Sequence, residues 1–184
     1  MTNPDWVETV IAFWFKELSP KDWFVSSVKT DAAITERFGG LYHELVVDIP
    51  SQAASDARTA LATVIVLDQF PRNMFRGSAE AFASDHLARK VTSTAIDNAL
   101  DKQLDGSRLQ FLYMPLMHSE ELDDHELCIA LFEAADDRET LKHAHEHRDI
   151  IKRFGRFPHR NSALGRESTP EEAGFLADHS GFGQ

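Results

Sequence analysis

An all-α fold is what this sequence predicts, on three observations. Apolar residues recur at spacings of three and four along most of the chain, the period of one helix face. No segment sustains the period of two that a half-buried strand requires, so no sheet is expected. Helix-starting and helix-stopping residues punctuate the chain at short intervals, and short connections between helices imply antiparallel neighbours. The chain has 184 residues, of which 42% are hydrophobic. That length and composition predict one domain over residues 1–184 with a sizeable core. The expected architecture is about eight helices in antiparallel hairpins, arranged as a bundle or a stack.

Asn3-Pro4-Asp5 reads as a helix start, with a cap, a proline at the first helical position and then an acid. Trp6, Val10, Phe13, Trp14 and Leu18 extend an aromatic face over residues 4–18. Interfacial helices are rich in Lys and Arg, and Lys16 is the only one here, so the face is expected to be buried rather than laid on a membrane. Ser19-Pro20 ends the helix, and Trp23 and Phe24 are expected to pack back under the loop. Asp31 opens a second helix, with Ile34, Phe38, Leu41 and Leu45 in one phase across Gly39-Gly40, and Asp48-Ile49-Pro50 breaks it. A third helix covers residues 52–69. Phe70 precedes Pro71 and is biased away from helix, which leaves Arg72, Asn73 and Arg76 in a loop closed by Gly77.

Ser84 or Asp85 caps a fourth helix carrying Leu87, Val91, Ala95 and Ala99, and Asp105-Gly106 turns the chain. Leu109, Leu112, Tyr113 and Leu116 form a short fifth helix disturbed by Pro115. Ser119 caps a sixth with Leu127, Ala130, Leu131 and Ala134, which ends at Asp136-Asp137. A seventh runs to Phe154 with Leu141, Ala144, His147 and Ile151 in phase, and Gly155 is placed to cap it. Thr169-Pro170-Glu171-Glu172 is a capping box that opens the last helix, to about residue 178.

Charge narrows the partners. The chain carries a formal −11, which repels nucleic acid and anionic membrane, and it has neither zinc-finger spacing nor a basic stripe with interleaved aromatics. No apolar run is long enough to span a bilayer, and an N-terminus with Asp5 and Glu8 is unlike a signal peptide. Cys128 stands alone, which excludes an internal disulfide and fits a reducing cytoplasm. Oligomeric state is not legible. Against the acidic whole, Arg148 to Arg166 holds six Lys or Arg and one acid, Asp149. Either the chain's own carboxylates neutralise this excess or an anion binds there. In addition, Phe70-Pro71-Arg72-Asn73 recurs as Phe157-Pro158-His159-Arg160-Asn161 with one residue inserted. Both copies follow an apolar helix end, so Arg72 and Arg160 are expected to meet around a shared cavity or a shared acid.

VLDQFPRNMFRG, FLYMPLMHSEEL, HRDIIKRFGRFPHRNSALGRESTPEE and the terminal FGQ resemble the uncharacterised bacterial family called domain of unknown function 924. The resemblance spans nearly the whole chain, including the early FWF and WF. It implies an all-helical fold similar to tetratricopeptide-repeat superhelices, and no activity.

Chemistry therefore has to be read residue by residue. Arg72, Asn73, Arg76, Arg156, His159, Arg160, Asn161 and Arg166 are the candidate ligand-binding set, with Asp68, Asp85 and Glu120 as supporting acids and Gln69 beside them. One reading is an internal network in which these acids neutralise Arg72, Arg156 or Arg160. The other is a groove that takes an anionic small molecule or an acidic peptide. An enzyme using His118 or His147 as acid or base beside Arg72, Arg156 and Arg160 is the alternative, and a scaffold without a ligand pocket the third. No cofactor is expected. No metal is expected either: His143 and His147 share a helix face, but His145-Glu146 has Asp149 where a metalloprotease motif needs a histidine. Cys128 reads as a buried thiol and Ser119 as a cap rather than a nucleophile.

Overall fold

A computed structural model describes residues 6–178 of the chain. Among the described residues there are helices and no strand. The Asn3-Pro4-Asp5 start and the terminal FGQ lie outside them. Helix α1, Trp6–Ala12, continues as a π-helical turn, Phe13–Glu17. A short α2, Pro20–Phe24, brings Trp23 back under the first turn, where its Nε1 donates to the Trp14 carbonyl at 2.8 Å. Helix α3, Val28–Val47, runs unbroken through Gly39-Gly40. It starts one turn earlier than the sequence suggested, because Ser27 caps it by accepting the Thr30 N–H, which frees the Asp31 carboxylate for other work.

The third helix departs furthest from expectation. It is α4, Ala57–Val64, followed without a break by a π turn, Ile65–Gln69, and then α5, Phe70–Met74. Phe70 is helical although proline follows it, and Arg72 and Asn73 lie on a helix rather than in a loop. Two features make this possible. The π turn takes up one extra residue, so the Phe70 N–H reaches back to the Ile65 carbonyl. Pro71 has no N–H to offer the turn before it, and the Leu67 carbonyl accepts the Ser84 hydroxyl instead, at 2.6 Å. Ser84 therefore spends its hydroxyl on this carbonyl and makes no side-chain cap on the next helix.

Helices α6, Asp85–Asp97, α7, Gly106–Met117, α8, Leu122–Ala134, and α9, Arg138–Phe154, follow in order. Helices α7, α8 and α9 each pack on the helix before them, and α4 packs against α6 and α7. Ser119 does not cap α8, whose cap position is Glu121; its oxygen accepts the Glu121 N–H and Arg89. Gly155 stops α9 with a left-handed φ of 68°. The last helix, α10, Pro170–Asp178, opens on the expected capping box, Thr169 and Glu172 each receiving the other's N–H.

The main core is rich in aromatics. Phe70 is fully buried against Phe38 at 4.8 Å and Phe13 at 6.2 Å between ring centroids. Burying one such ring is worth about 1.5–3 kcal/mol, so Phe70 pins the C-terminal end of the π turn and fixes where Asp68 points. A smaller cluster of Ile150, Ile151 and Phe157, with Phe154 and Phe175 against it, sits under α9 and α10. No described helix is long and apolar enough to cross a membrane.

Candidate functional site

Asp68, inside the π turn, is fully buried, and a buried carboxylate needs partners. His118 Nδ1 lies 2.9 and 3.0 Å from its two oxygens. Gln69 Nε2 donates to Oδ2, and Arg72 Nη1 is 3.4 Å from Oδ1. Burial alone would raise the Asp68 pKa, but the Arg72 guanidinium, then the His118 imidazole bonded to it, outweigh this and hold the group well below the carboxylate range. Arg72 is buried as well and makes a two-pronged pair with Asp85, at 2.8 and 3.0 Å.

Asp85 is shared. Arg160 Nη1 lies 3.4 Å from the Asp85 Oδ2 that Arg72 already holds. Both guanidinium groups sit over Phe82, at 5.6 Å for Arg72 and 4.7 Å for Arg160, and Phe157 lies on Arg160 at 4.6 Å. The two Phe-Pro copies thus bring Arg72 and Arg160 to one acid, although they fold differently: Phe70-Pro71 is helical, whereas Phe157 is extended ahead of the 3-10 turn Pro158–Arg160. Arg160 is only 4% exposed, and among the described residues its Nε has no partner and its guanidinium has one hydrogen bond, the long one to Asp85. Burial, then the neighbouring Arg72, lowers its pKa to about 10, so it remains a cation at neutral pH.

Glu120 positions the second ring. Its Oε1 accepts the Phe157 N–H at 2.8 Å, and both of its oxygens receive Arg166, at 2.7 and 3.0 Å. Burial pushes His118 below its ordinary value; Asp68 opposes this, and Arg72 and Arg160 add to it. That shift favours the neutral imidazole. Assigned from its carboxylate partner, the proton is on Nδ1 and Nε2 carries the lone pair. Among the described residues Nε2 has no hydrogen-bond partner, and it is not among the unpartnered atoms sealed from solvent.

Other expected members go elsewhere. Arg76 and Asn73 bind Asp31. Arg156 pairs with Glu172, not with Asp68, Asp85 or Glu120, and Asn161 lies against Glu172 and Ser168. His147 Nδ1–H donates to the His143 carbonyl, 2.8 Å away, and the ring packs edge-on to Phe157, as a core residue of α9. His159 stacks near the same ring at 5.3 Å. Among the described residues no group of three or more His, Cys, Asp or Glu is arranged to hold a metal ion. A surface hollow of about 470 Å³, lined by Arg153, Pro170, Glu171, Gly174, Phe175 and Asp178, shares no residue with the Asp68–His118 cluster.

Much of the positive stretch is therefore neutralised by the chain itself. Arg148 meets Asp149, Arg153 meets Glu171, Arg156 meets Glu172 and Arg166 meets Glu120. Sequence reading missed Phe82, Phe157, Asp31 and Glu172 as partners. Phe157 was visible as part of the repeated motif. Phe82 carried no signal, because only the fold brings it to Arg160.

The sequence pattern of the family described as "Bacterial protein of unknown function (DUF924)" matches residues 10–180. The chain is similar to a solved protein of unknown function from Agrobacterium tumefaciens, with a TM-score of 0.88 and 36% identity, covering 94% of this chain and 97% of that one. Among curated proteins none matches.

Proposed function

Because the chain belongs to this family of bacterial proteins of unknown function, its own residues must supply the reading, and we propose that Arg160 binds a small anionic ligand beside His118. The carrying observation is the pairing of Arg160. A guanidinium has five N–H donors, yet among the described residues this buried one has a single 3.4 Å bond, to an acid already committed to Arg72. A buried cation so thinly paired is costly unless something completes it. The Phe82 and Phe157 rings hold its plane, which leaves its edge for a carboxylate or phosphate.

Charge selects among anions. Arg72 and Arg160 are balanced by Asp68 and Asp85, Arg166 by Glu120, and His118 is neutral. The site starts near zero and takes a monoanion more readily than a dianion, which favours a carboxylate over phosphate. The flanking rings favour an apolar body behind it. An acidic peptide end is the larger version of the same ligand. A cytoplasmic setting belongs to the same reading, supported by Cys128 as a buried free thiol. A tetratricopeptide-like stack is supported by the successive packing of α6 to α9.

Isothermal titration calorimetry with benzoate, phosphate, pyrophosphate and an acidic tetrapeptide tests the site. Benzoate is expected to bind most tightly, and Arg160→Met, which keeps the stem between the rings, is expected to remove the heat. If none of the four gives a saturable heat that depends on Arg160, the anion reading is wrong. Tighter pyrophosphate binding would retain the site and overturn the charge argument.

A further inference from the structure

The Asp68–His118 pair is more than an anion site needs. Asp68 is fully buried, and its carboxylate takes the Nδ1 side of His118 with both oxygens. That arrangement fixes the ring and its tautomer and leaves Nε2 with no hydrogen-bond partner among the described residues. The other buried histidines are held differently. His147 uses Nδ1 on a helix carbonyl, and His125 uses Nε2 on the Ser119 carbonyl at 2.8 Å. A binding pocket gains little from a histidine anchored to a buried carboxylate, whereas a base that must accept and return a proton gains orientation and charge stabilisation.

We propose that His118 Nε2 is the general base of a hydrolase whose substrate is a small carboxylic ester bearing a separate carboxylate, and that Asp68 positions it. This rests on the anion site above, with Arg160 taking the substrate's carboxylate. Water is the nucleophile, because the nearby hydroxyls are committed: Ser84 donates to the Leu67 carbonyl, and Ser119 is held by Arg89 and the Glu121 N–H. Cys128 is buried, and burial pushes its thiol up to about 12. In the step, the water oxygen bonds to the ester carbon while its proton passes to His118 Nε2. The resulting imidazolium is stabilised by Asp68. The tetrahedral intermediate then expels the alcohol oxygen as the carbon–oxygen bond breaks, and His118 returns the proton to it. Acid and alcohol leave, and nothing is oxidised or reduced.

The test uses 4-acetoxybenzoate, whose carboxylate cannot reach its own ester, against the uncharged methyl 4-acetoxybenzoate. Release of 4-hydroxybenzoate, or of its methyl ester from the uncharged substrate, is followed optically. The wild type is expected to prefer the charged ester, and His118→Gln to lose about 100-fold or more of kcat. Asp68→Asn, which removes the carboxylate partner, is expected to lower kcat with little change in KM, whereas Arg160→Met is expected to raise KM and erase the preference. His43→Gln, on an exposed histidine, is the control and should match wild type. In parallel, diethyl pyrocarbonate followed by peptide mapping reads Nε2 directly: His118 should be acylated in the native protein, and benzoate should slow it. A turnover no faster in wild type than in His118→Gln, or a His118 that stays unmodified while His43 reacts, overturns the inference. Benzoate binding by calorimetry with no His118-dependent turnover would leave a binding protein. A reactive His118 without anion binding would instead remove the anion site.

Discussion

At the scale of residues, the histidines separate into two kinds. His118 faces a carboxylate, whereas His147 is buried in α9 with its Nδ1 on the His143 carbonyl. Burial, with the nearby His118, His125 and His159, drives the His147 pKa down to about 3, against an unfolded value near 6.5. The folded state therefore binds fewer protons than the unfolded state between those values. Stability is intact above about pH 6.5 and is lost as pH falls toward 3. This residue alone should cost about 2 kcal/mol between pH 7 and pH 5. Urea unfolding of wild type and His147→Leu at both pH values checks it: the variant should show a smaller acid loss. Equal losses would mean that His147 is not a buried neutral group. From sequence, a core role for His147 was legible in its helical phase. Its difference from His118 was not, because it depends on Asp68, which lies 50 positions away from His118.

Among the elements, the π turn at Ile65–Gln69 decides the site's geometry. The sequence showed the Phe-Pro step and predicted a stop there. What it hid was a compensating donor from another helix, since nothing local links Ser84 to Leu67. Ser84→Ala leaves the Leu67 carbonyl buried and unsatisfied, which should cost about 1–3 kcal/mol, read as a shift in the urea midpoint at constant slope. It should also weaken any benzoate binding, because the turn that aims Asp68 loses its tie to α6. No change in midpoint would mean that the carbonyl finds another partner. By contrast, α9 and α10 were legible almost to the residue. Their signals are local: Gly155 at a positive φ, and a capping box at Thr169.

For the molecule as a whole, the sequence raised a choice between self-neutralisation and anion binding for the basic stretch. The fold answers mostly with the first. Arg148, Arg153, Arg156 and Arg166 meet acids from their own neighbourhood or from Glu120. The pairing of Arg72 with Arg160 around Asp85 was legible in the repeated Phe-Pro motif, whereas the departure of Arg76, Asn73 and Arg156 to Asp31 and Glu172 was not, since each requires a particular helix packing. What remains is Arg160. Thermal unfolding of wild type and Arg160→Met, with benzoate or phosphate against chloride at matched ionic strength, tests its role most directly, because anions also stabilise proteins without a site. At a ligand concentration 100 times its Kd the wild type should gain about 2.7 kcal/mol, a rise of roughly 5–10 °C in the midpoint. Arg160→Met should lose that response with its unliganded midpoint unchanged or higher, since Arg72 still holds Asp85. A wild type that responds no more than to chloride, with an Arg160→Met midpoint several degrees lower, would make Arg160 a structural cation and contradict the anion site.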